Sequence, residues 1–243
     1  MSFLGTIVNT AAVLVGSLIG LLIKKGLNER VEHAVMQVLG LSTIVIAAAG
    51  LITTMISVSP ESGKLSSSGE LILLVSLAIG ALLGELLHIE EGLNHWGERI
   101  EKRFGASNFA RGFISSSLLF CVGAMAIMGA FNDGLYGDSK ILFIKSTLDF
   151  ISSIVLTATL GFGVICSAVT VLVYQGLLTL GSGLLSGVLV GDLLNNICIV
   201  GYAIVACIGI NFFGQIKIKT VNLLPALLVP VVYQLLIVVY NLL

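Results

Sequence analysis

Apolar runs of about 20 residues, separated by short polar links, make up nearly the whole chain. A run of that length with few charges matches the thickness of a bilayer's hydrocarbon core. The pattern predicts spans at Phe3–Ile23, Ala34–Ile56, Leu71–Leu87, Phe113–Phe131, Ile141–Leu160, Gly161–Leu180, Leu184–Phe213 and Leu223–Leu243. The seventh is too long for one minimal span and is expected to be tilted, broken or begun outside the bilayer. In the eighth, Pro225 fits a helix start and Pro230 is expected to kink the helix. The link SVSPESGKLSSSGE reads as flexible, and HIEEGLNHWGERIEKRFGASNFARG as an amphipathic surface helix with Trp96 at headgroup level. The expected fold class is all-α, a polytopic transmembrane helical bundle of about eight spans, or seven if the segment between Asp138 and Lys217 crosses once fewer.

Composition narrows the class further. Hydrophobic residues are 57% of the chain and charged ones 10%, against about 25% charged in a soluble domain. Such a chain cannot build a water-covered surface. Residues 1–243 read as a single integral membrane domain with no room for a separate soluble one. The first apolar run lacks a basic leader and is long enough to span, so it is read as a retained helix. Cys121, Cys166, Cys198 and Cys207 all lie in apolar runs without metal-ligand spacing and read as free thiols packed as small hydrophobes.

Lysine and arginine placement sets the orientation. Nine of the 12 basic residues follow spans one, three and seven: Lys24, Lys25, Arg30, Arg99, Lys102, Arg103, Arg111, Lys217 and Lys219. Lys64, Lys140 and Lys145 fall on the other side. With the larger group inside, both termini lie outside.

The chain also hints at a duplication. VGSLIG (Val15–Gly20), followed by Gly26-Leu27-Asn28, matches IGALLG (Ile79–Gly84), followed by Gly92-Leu93-Asn94. Repeat units of 1–57 and 70–133 are expected, with a polar core segment at 132–160. A third pair, Gly187 and Gly191, is weaker. Helix contact alone also explains such glycine spacing.

Candidate chemistry is concentrated in AMAIMGAFNDGLYGDSKILFIKSTLDFISS. A charge inside a span is costly and rarely faces lipid. Gly134 and Gly137 are expected to make a turn between two helices. Lys145 and Asp149 are four apart and share a helix face, about 6 and 12 Å into the helix, hence in the outer half of the membrane. Asp192, Asn195 and Asn196 share a face of span seven, and Asn9 enters from span one. Together with Ser146, these faces would form a polar site for an ion or small solute, with Asp133 and Asp138 nearby. The plainer alternative has Lys145 reaching back to the interface, Asp133 and Asp138 in water, and Asp149 and Asp192 joining helices. Glu85 reads as an interfacial charge, and Gln37 and Gln175 as bonds between helices. No motif for nucleophilic, metal or phosphate chemistry is present in the sequence, so no enzyme and no cofactor are expected; the identity of any bound metal is left open.

GAMAIMGAFNDGLYGDSKILFIKSTLDFISS, GINFFGQIKIKTVNLLPALLVP and the opening GTIVNTAAVLVGSLIG resemble the domain of unknown function 554 family of bacterial membrane proteins, the YdfK/YqgA-like proteins. The resemblance covers the whole chain and includes Asp133, Gly134, Gly137, Asp138, Lys145, Ser146 and Asp149. It implies a multi-pass protein of the bacterial cytoplasmic membrane and carries no assigned site residues. The expected function is a small secondary transporter or permease for an ion or small polar solute; the alternative is a non-transporting subunit or scaffold acting through a partner protein. The partners expected are the lipid bilayer, a small ion or solute and a second copy in a homodimer, and no nucleic acid.

Overall fold

The computed structural model describes residues 3–24, 29–58, 63–104, 109–185 and 191–242. Among them are ten α-helices: α1 (Leu4–Lys24), α2 (Glu29–Met55), α3 (Glu70–Leu86), α4 (Ile89–Phe104), α5 (Phe109–Cys121), α6 (Ala124–Tyr136), α7 (Lys140–Leu160), α8 (Gly163–Leu185), α9 (Asp192–Phe212) and α10 (Val229–Leu242). A nine-residue 3-10 helix (Thr220–Leu228) precedes α10. Six segments are each long and apolar enough to cross a membrane, and two bent helix pairs raise the number to eight. The chain is a multi-pass membrane protein built as a helical bundle.

Four details depart from the sequence pattern. The link after α2 contains a short antiparallel hairpin, Ile56–Val58 with Leu65–Ser67; Pro60 lies outside the described residues. The fourth span is two helices, α5 and α6, bent by 58°. The break is at Gly123, whose φ of 134° suits only glycine. The seventh span is the 21-residue α9, and Gly187 lies outside the described residues. In the eighth, Pro225 sits inside the 3-10 helix rather than at a start. Pro230 is the second residue of α10, where the 3-10 helix changes to an α-helix. The amphipathic α4 forms where its pattern predicts; the side chain of Trp96 lies outside the described residues.

The chain divides into two compact units. The first is Met1–Gly40 with Gly92–Val188, and the second is Leu41–Glu91 with Leu189–Leu243. In the first unit, α1 and α7 make the most extensive helix pairing, and α8 packs on α1, α5 and α6. Gly16 and Gly20 let α1 lie against α7. A Cβ at Gly16 would strike Ser153 and the Phe150 carbonyl, and one at Gly20 the Ile154 carbonyl. In the second unit, α3 packs on the 3-10 helix. A Cβ at Gly80 would collide with Ala226, and one at Gly84 with the Asn222 backbone. Both glycine pairs are therefore close-approach seams.

Candidate functional site

The polar core of the first unit is built on α7. Lys145, Asp149, Ser153 and Thr157 recur every four residues and form one buried stripe facing α1. Asp149 lies nine residues from the start of the 21-residue α7, or about 13.5 Å along its axis. It is therefore close to the middle of the span. Lys145 Nζ donates to Asp149 Oδ2 at 2.5 Å, and the two side chains are only 8% and 9% exposed. Lys145 does not reach back to an interface.

Two further helices complete the cluster. Asn9 of α1 donates its Nδ2 to Asp149 Oδ2 at 3.0 Å and to Gln175 Oε1 of α8 at 3.2 Å. One turn toward the start of α1, the Thr6 and Thr179 hydroxyls meet at 3.1 Å. Asn9 and Gln175 are both fully buried. Among the described residues, Asn9 Oδ1 and Gln175 Nε2 have no hydrogen-bond partner. Leaving one acceptor and one donor unmet in a dry interior is costly. Beside them stands an ion pair whose charges cancel. The core can thus offer one carboxylate, one ammonium, a free acceptor and a free donor.

The other acidic residues of this stretch have structural work. Asp133 is not in a turn or in water but fully buried within α6. Its Oδ2 accepts from Gly5 N at 3.1 Å and its Oδ1 from Ser139 Oγ at 2.5 Å, which ties the start of α1 to the segment leading into α7. Asp138 Oδ1 accepts from Lys140 N at 3.1 Å, serving a free N–H at the start of α7. Gly134 lies within α6, where a Cβ would strike Thr179 and Ser182 of α8; only Gly137, with φ 68°, makes the turn. Ser146 is buried but bonds back to Leu142 O at 2.6 Å.

Asp192 and Asn195 belong to the second unit and do not join Asp149 in one compact unit. They line a cleft of about 590 Å³ with Glu70, Leu71, Tyr233 and Gln234, all residues of that unit. Both side chains are exposed. Asp192 and Glu70 each begin a helix, where a carboxylate is favoured by the helix dipole whatever the cleft holds.

Also in the second unit, Glu85 meets Lys219 Nζ at 2.5 Å and Asn222 Nδ2 at 2.8 Å. Asn222 Oδ1 in turn accepts from Glu90 N at 2.9 Å, in the first turn of α4. Glu85 is 60% exposed, as an interfacial charge should be. Hydrogen bonding to Glu85 raises the Lys219 pKa above the usual lysine value.

Sequence reasoning placed Gln175 as helix glue and passed over Thr6 and Thr179. The signal for Thr179 was available: Gln175, Thr179 and Ser182 fall at i, i+4 and i+7 on one face of α8.

The family model described as "Protein of unknown function (DUF554)" matches residues 4–235. An uncharacterized membrane protein of Bacillus subtilis, YdfK, is 35% identical over 226 residues, 93% of each chain. The uncharacterized protein YqgA of Escherichia coli is 28% identical over 232 residues, again 93% of each. No solved structure matches.

Proposed function

The chain belongs to the DUF554 family, and from that premise we propose that it is a small secondary transporter or permease with its site in the first unit. The substrate is an ion or small polar solute, bound by Lys145, Asp149, Asn9 and Gln175. One observation carries the reading: a fully buried ion pair at mid-span, beside an unmet acceptor and an unmet donor. Ionisable groups at that depth are expensive and usually mark a pathway, and transporter sites gather near the midplane. The carboxylates of the second-unit cleft need no ligand to be stable, since Asp192 and Glu70 each begin a helix. The reading is non-enzymatic. It places the protein in a bacterial cytoplasmic membrane with both termini outside, and its two glycine seams support an internal repeat. A homodimer suits so small a pathway.

The test is a melting screen of the detergent-purified protein against monovalent and divalent cations, amino acids and small organic acids. Each hit is followed by labelled uptake into proteoliposomes. A stabilising solute that is also taken up, with both effects lost when Lys145 and Asp149 are replaced together, is the expected result. If no solute stabilises and none enters, the transporter reading fails and a partner-dependent subunit takes its place.

A further inference from the structure

We propose that the core of the first unit recognises a zwitterion, one small molecule carrying both an ammonium and a carboxylate. This rests on the transporter reading and gives its site a substrate class. The four groups sort into two complementary halves. Asp149 and the unmet Asn9 Oδ1 are acceptors and suit an ammonium. Lys145 and the unmet Gln175 Nε2 are donors and suit a carboxylate. Asn9 touches both Asp149 and Gln175, so the halves adjoin.

Charge balance selects among ligands. With Lys145 and Asp149 both ionised, the pair is neutral overall. A lone cation would leave the buried core with a net positive charge and a lone anion with a net negative one, each heavily penalised at low dielectric. A zwitterion inserts between the partners, exchanges one ion pair for two and leaves the sum at zero. The Lys145 ammonium fills the ammonium position on Asp149, so the closed pair stands in for the ligand. The two unmet atoms are the hydrogen-bonding capacity the stand-in cannot use.

The experiment measures melting of the full-length protein in detergent at pH 7 with each of the twenty common amino acids in turn. Ethylammonium chloride and sodium acetate supply the two halves separately. At least one amino acid should raise the melting temperature with saturable dose dependence, and neither half should do so at the same concentration. Asn9→Leu and Gln175→Met should each weaken that amino acid roughly tenfold. The charge-balanced Lys145→Met/Asp149→Leu double variant should melt cooperatively and lose the response. Stabilisation by ethylammonium or acetate alone, or by no amino acid, overturns the proposal. The two readings separate on uptake. If a solute that is not a zwitterion enters proteoliposomes through the wild type but not the double variant, transport stands and the zwitterion class falls. If no solute enters, both fall.

Discussion

Two lysine–carboxylate pairs in this protein have the same 2.5 Å separation and opposite surroundings. Lys145 and Asp149 are 8% and 9% exposed, one turn apart on α7 at mid-span. Lys219 and Glu85 are 47% and 60% exposed and join a loop to the end of α3. Water and salt screen the second pair, so it contributes little that either partner would miss. The first has given up its hydration, and each charge is tolerable only while the other is present. Equal distances therefore carry very different consequences: the exposed pair is screened and nearly dispensable, and in the buried pair each charge depends on the other.

The comparison breaks most sharply at Asp149. The sequence alone suggests that Asp149→Asn would remove function and leave the fold intact. The structure predicts otherwise, because the substitution strands the Lys145 ammonium. Asp149→Asn or Lys145→Met alone should destabilise by about 3–5 kcal/mol. The paired Lys145→Met/Asp149→Leu change should restore most of that loss in the same denaturation series.

The glycine seams test whether the two units tolerate crowding alike. Gly16→Ala and Gly84→Ala should each cost about 1–3 kcal/mol by overpacking. Gly84→Ala should be the worse, because its Cβ meets only backbone of Asn222, whereas the nearest atom to Gly16 is the Ser153 hydroxyl. Asn222→Ala removes both a partner of Glu85 and the acceptor for Glu90 N. It should cost about 1 kcal/mol and speed amide exchange at the start of α4.

The smallest effect belongs to the exposed pair. Glu85→Gln should leave the melting midpoint unchanged at 0.15 M salt and lower it only at low ionic strength. Its pH dependence has a fixed sign. Lys219 is raised above the usual lysine value of 10.5, so its contribution is present at neutral pH. The contribution is lost only as pH climbs past that value. A wild-type melting profile compared with Glu85→Gln from pH 7 to 11 at low ionic strength checks this.

The spans, the amphipathic α4 and the shared face of Lys145 and Asp149 were legible in the sequence. Each depends on local periodicity and on the cost of placing charge in hydrocarbon. The break at Gly123 was not, because an apolar run reads the same whether it is straight or bent by 58°. Nor could the sequence separate Asp133 from Asp149. Both are aspartates in one polar stretch, yet Asp133 has partners at both oxygens, Gly5 N and Ser139 Oγ. Asp149 shares one oxygen between an ammonium and the Asn9 amide, and Asn9 Oδ1 has no partner among the described residues. By itself, then, the sequence determined that this is a multi-pass helical membrane protein with costly charges at its centre. Only the tertiary structure decided which carboxylate has a partner at each oxygen and which shares one oxygen between two donors. Satisfaction of a buried polar group depends on what α1 brings to α7 and α8 across more than a hundred residues, and no local pattern encodes that.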